Sequence, residues 1–99
     1  MATPVVYHFI YYWYSSTGLP PGTQHSWSFG PSTGFWKQGF VATAHPRLWD
    51  ERERALTVSM IQSRRDGPGT HFIDVFVRNV GLHPVYWYNL WLTIIDPQV

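Results

Sequence analysis

The chain has 99 residues, a net charge of +1, no cysteine, and more aromatic residues (18%) than charged ones (13%). A domain of this length buries only about 60–65% of its unfolded surface, and no disulfide can reinforce it. The balanced charge leaves no electrostatic footprint for nucleic acid, and no apolar run approaches the roughly 20 residues of a membrane-spanning helix.

The first predicted element is "VVYHFIYYWY", residues 5–14, ten residues with six aromatics and no formal charge. As a strand it puts Val5, Tyr7, Phe9, Tyr11 and Trp13 on one face and Val6, His8, Ile10, Tyr12 and Tyr14 on the other. Both faces want cover, and a two-layer sandwich covers one of them. The other, or the strand itself, is expected to meet a second copy, which makes Tyr7, Phe9, Tyr11 and Trp13 candidate subunit contacts. Ahead of this stretch, "MATPVVYHF" lacks a basic segment and a small-residue cleavage site. No signal peptide is therefore expected. The chain is taken to start in the cytoplasm, with export by a signal-independent route left open.

"STGLPPGTQ" reads as a loop, "HSWSF" as a short strand and "GPSTG" as a turn. "FWKQGFVATA" reads as a strand or pair of strands bent at Gly39. Only Lys37 and Arg47 carry side-chain charge before Asp50, and five charges then crowd into "DERER", 50–54. "HPRLWDERER" could close one helical turn, but a solvated lead-in to the next strand is the simpler reading. In "ALTVSMIQS", Leu56, Val58 and Met60 alternate with Thr57 and Ser59, as a half-buried strand requires. "RRDGPGT" makes a hairpin loop into "HFIDVFVRN", where Ile73, Val75 and Val77 face one way and Phe72, Asp74, Phe76 and Arg78 the other. After "VGLHP", the stretch "VYWYNLWLTII" sets Tyr88, Leu90, Leu92 and Ile94 against Trp87, Asn89, Trp91 and Thr93.

A period of two, turn signals spaced by about 8–12 residues and no long helical period predict an all-β fold. The expectation is one antiparallel β-sandwich domain over residues 1–99, immunoglobulin-like or jelly-roll-like, with about six to eight strands. "DVFVRNVGLHPVYWYNLWLTI" resembles the strand–turn–strand of bacterial immunoglobulin-like modules, in particular CARDB-type adhesion domains, in which a strand ends in Asn-x-Gly. "LPPGTQHSW" is similar to their L-x-P-G turn before an aromatic strand, although here it precedes the Asn-x-Gly segment. The resemblance implies a sandwich and carries no site residues.

Chemistry-bearing patterns are sparse. His8, His25, His45, His71 and His83 stand singly, without metal-ligand spacing. No GxSxG elbow, phosphate loop or isolated carboxylate pair appears. No catalytic, metal or cofactor site is expected, and the chain is read as a non-enzyme. If the last two predicted strands share a sheet, one outward face gathers Phe72, Asp74, Phe76, Arg78, Trp87, Asn89, Trp91 and Thr93. Trp87 and Trp91 would stack on a sugar ring while Asp74, Arg78 and Asn89 bond its hydroxyls. The leading expectation is a homo-oligomeric, lectin-like carbohydrate-binding module. The alternative is a structural subunit of a shell, fibre or coat, with the aromatics, including Phe72 and Phe76, at subunit contacts.

Overall fold

A computed structural model describes residues 3–48 and 50–98. It contains β1 (Val5–Leu19), β2 (Gln24–Ser32), β3 (Gly39–Pro46), β4 (Leu56–Arg65), β5 (His71–Asn79) and β6 (Val85–Asp96). These form two three-stranded antiparallel sheets, β1–β6–β3 and β2–β5–β4. No helix occurs among the described residues. The all-β, sandwich-like expectation holds.

The two central strands have the most regular alternation of apolar residues, and they make the core. Ile73, Val75 and Val77 of β5 and Tyr88, Leu90 and Leu92 of β6 are each at most 1% exposed. Burying each such aliphatic side chain stabilises the fold by about 1.5–3 kcal/mol. The flanking strands complete the interior with Tyr11 and Trp13 (β1), Trp27 and Phe29 (β2), Phe40, Ala42 and Ala44 (β3), and Leu56 and Val58 (β4).

Two departures from simple alternation matter. In β4 the register slips between Val58 and Met60, so Met60 pairs with Phe76 and Ile61 with Val75. This bulge turns Met60 outward, where it is exposed, instead of onto the face of Leu56 and Val58. The second departure is larger. Among the described residues only β4 and β5 form a hairpin within one sheet, while the segment 80–84 carries the chain from the β5 sheet to the β6 sheet.

Asn79 fixes that crossing. Its side chain is fully buried, its Nδ2 donates to Leu19 O at 2.9 Å and His83 O at 2.8 Å, and its Oδ1 accepts from Gly81 N at 2.9 Å. The Asn-x-Gly motif thus ties the ends of β1 and β5 to the entry into β6.

The charged segment 50–54 is a bend and not a helical turn; Trp49 lies outside the described residues. Arg54 grips Asp50 with both Nη atoms, at 2.6 and 3.2 Å, and donates from Nε to Pro84 O at 2.9 Å. The hydrogen bond from Arg54 holds the Asp50 carboxyl down at about 2.

Candidate functional site

The β5-to-β6 crossing separates the predicted ligand residues. Both inner faces are as expected, but the outer faces of β5 and β6 lie on opposite sides of the sandwich. Asp74 and Arg78 belong to one outer surface, and Trp87, Asn89 and Trp91 to the other. The five do not form one site.

Asp74 is engaged where it stands. Ser28 Oγ donates to its Oδ1 at 2.8 Å and Arg64 Nε to its Oδ2 at 2.7 Å. Burial works to raise this carboxyl, and the bonds from Ser28 and Arg64 outweigh it, leaving it below the usual carboxylate range. Arg64 also reaches Asp66 at 2.9 Å and lies 4.4 Å from the Phe72 ring centroid. Phe72 and Phe76, the other predicted contacts on this strand, are half-buried on this outer surface. Arg78 pairs in register with Gln24 and Thr57, so this face mixes polar side chains with Phe72, Phe76 and Met60.

The other outer surface is aromatic. Across the β1–β6–β3 sheet the rows are His8–Thr93–Val41, Ile10–Trp91–Thr43 and Tyr12–Asn89–His45. Tyr14 pairs with Trp87, whose carbonyl accepts from Arg47 N at 2.8 Å. Tyr12 (64%), Tyr14 (67%) and Trp91 (42%) stand exposed on this face. The Arg47 guanidinium covers the Trp87 ring at 4.0 Å, and Tyr14 meets that ring edge-on at 6.2 Å. One face of Trp87 is therefore already occupied, leaving Trp91, Tyr12 and Tyr14 as the accessible rings. Between them Asn89 Oδ1 is enclosed and has no hydrogen-bond partner among the described residues.

The predicted contact residues of β1 split in two. Tyr11 and Trp13 pack inward, Tyr11 on Trp27 (5.8 Å) and Phe29 (5.0 Å), and Trp13 on His25 (4.9 Å) and Tyr88 (5.2 Å). Tyr7 and Phe9 point to the same side by register but remain 46% and 41% exposed. Every residue from Val5 to Ile10 is exposed. Along its other margin β1 has no neighbouring strand among the described residues, because it is the outer strand of its sheet.

Sequence reasoning missed a polar cluster inside the sandwich. The Tyr88 hydroxyl accepts from Trp27 Nε1 at 2.7 Å and is hydrogen-bonded to His25 Nε2. Burial pushes the Tyr88 phenol up to about 12, against the opposing bond from Trp27, and burial lowers the His25 imidazole below its ordinary value. Its members sit on strands of different sheets, so no local spacing could reveal it.

Among the described residues no group of three or more His, Asp or Glu is placed to hold a metal ion, and no helix is long and apolar enough to cross a membrane. No family model, curated protein or solved structure matches the chain.

Proposed function

We propose that this chain is a non-catalytic building module that associates with copies of itself along β1. The observation that carries the reading is the segment Val5–Ile10, exposed at every residue and left without a neighbour along one edge. An unpaired strand edge is a template for another strand, and natural sheets blunt it with charge, proline, bulges or short length. The three other edge strands carry such devices. β2 contains Pro31 and a register shift, β3 ends at Pro46 beside Arg47, and β4 has the Met60 bulge followed by Arg64 and Arg65. β1 runs for 15 residues without charge or proline, and its own register shift lies beyond Tyr14, so the stretch 5–14 is regular.

A second copy is the occupant that fits. Antiparallel pairing of β1 with its own copy satisfies both edges by the same bonds and brings no charges together. It also continues the aromatic outer face from one subunit to the next. Sedimentation of the purified chain should show particles larger than 11.5 kDa. Substituting Ile10→Lys and Tyr12→Lys together, on the exposed face, should return it to the single-chain mass with its β-sheet circular dichroism kept. Particles of unchanged size in that variant would refute the proposed contact.

A second reading is favoured by Asn89. Its partnerless Oδ1 beside Trp91 and Tyr12 suits a ligand with an apolar ring face and hydroxyl donors, the chemistry of a carbohydrate. Here the stacking residues are Trp91 and Tyr12, without Asp74 or Arg78. Glycan-array binding lost in Trp91→Ala but kept in an Ile10→Lys, Tyr12→Phe chain, which retains the Tyr12 ring and whose single-chain mass is checked by sedimentation, would support it. A blank array for the unaltered protein would remove it.

A further inference from the structure

We propose that the cavity bounded by the 33–38 turn and the start of β5 binds one small aromatic ring bearing a hydroxyl or N–H group. The cavity measures about 210 Å³ and is lined by Phe35, Trp36, Ser63, His71, Phe72 and Ile73. It shares none of these residues with β1 or with the β1–β6–β3 outer face, so the inference is independent of the proposed assembly.

Its size selects the ligand. Pockets for drug-sized molecules run from about 300 Å³ upward, whereas an apolar cavity of about 150 Å³ holds a single benzene. A volume of about 210 Å³ therefore suits one ring with a short polar substituent. The walls select it further. Phe35 is braced edge-on by Phe40 at 5.2 Å, and the Arg64 guanidinium lies over Phe72 at 4.4 Å. Two aromatic walls are thus held in place. Trp36, 73% exposed, is the third and the one with room to close over a ligand.

The polar requirement comes from His71. Its Nδ1 is enclosed and has no hydrogen-bond partner among the described residues. An enclosed nitrogen without a partner is unfavourable, and a small turn of the imidazole toward the cavity would let a ligand hydroxyl or N–H supply the missing bond. The backbone keeps this space unfilled from the β2 side. Gly30 has φ +122°, and a Cβ there would lie 2.6 Å from His71 O and 3.3 Å from both Phe35 and Phe72. No larger residue fits at Gly30, so no side chain from that position enters the cavity.

The test titrates phenol, benzene, cyclohexanol and N-acetyltyrosinamide into the full chain, following the His71 ring nitrogens and the Trp36 indole by NMR. Phenol should shift both signals saturably and bind at least tenfold more tightly than benzene; cyclohexanol should not saturate. Binding of N-acetyltyrosinamide as well would identify a tyrosine side chain as an acceptable source of the ring, and its exclusion would restrict the site to free phenols. Trp36→Ala, at an exposed position, should weaken phenol and benzene alike, and His71→Phe should abolish the preference between them. The proposal is overturned if saturating phenol leaves the His71 nitrogens unmoved, or if phenol and benzene bind equally. The Ile10→Lys, Tyr12→Lys chain should give the same phenol response, which separates this outcome from the fate of the assembly.

Discussion

The two outer faces of the sandwich differ in how completely each satisfies itself. On the β2–β5–β4 side, Asp74 sits among donors from Ser28 and Arg64, and Arg64 in turn covers Phe72. On that face the carboxylate is satisfied and Phe72 is covered, with Met60 the large apolar side chain left in solvent. On the β1–β6–β3 side, Tyr12, Tyr14 and Trp91 stand in solvent, Asn89 Oδ1 lacks a partner among the described residues, and the outer edge of β1 carries neither charge nor proline. Contiguous exposed apolar surface of this kind marks interaction sites more often than it marks ordinary monomer surface. One face finishes the fold; the other invites a partner.

Substitutions can break this contrast in a definite order. Asp74→Ala should have the largest effect on stability, about 1–3 kcal/mol, because it strips Ser28 and Arg64 of their shared acceptor. Urea unfolding checks it, and it should leave particle size untouched. Next comes the interior cluster of His25, Trp27 and Tyr88, which ties β2 to β6 of the opposite sheet. His25 takes its proton near pH 6.5 when unfolded and only at lower pH when folded. Between those values the unfolded chain binds more protons, so stability is greatest above pH 6.5 and declines as pH falls toward the folded value. Thermal melts from pH 7.5 down to 4.5 should show this decline, and His25→Gln should flatten it. Losses tied to Asp50, Asp74 and Asp96, whose carboxyls are all held low, belong to a separate window below about pH 3.8. Trp91→Ala should have the smallest effect on stability, within about 0.5 kcal/mol. If it instead destabilises the single chain by as much as Asp74→Ala, the aromatic face is part of the fold and not a contact surface.

The pattern of the sequence made much of this legible, and its silence had a physical cause. Alternation in "HFIDVFVRN" and "VYWYNLWLTII" identified the inner residues of both central strands, because a strand's side chains must alternate between its faces. Alternation says nothing about which sheet a strand joins. "VGLHP" looked like a turn between neighbours, and Asn79 instead fixes a crossing between layers. That single difference divided Asp74 and Arg78 from Trp87, Asn89 and Trp91. The Met60 bulge escaped notice for a related reason, since one extra residue reverses the facing of everything beyond it. The uncharged, aromatic character of β1 was visible from composition, but which of its residues would be covered was not, since Tyr11 and Trp13 pack inward.

The central claim is that β1 pairs with another copy of itself, and backbone hydrogen exchange tests it most directly. Amides of residues 5–14 that point away from β6 should exchange slowly at high protein concentration and quickly on dilution, while those bonded to β6 stay slow throughout. Fast exchange of the outward amides at every concentration, with a particle that remains at 11.5 kDa, would contradict it.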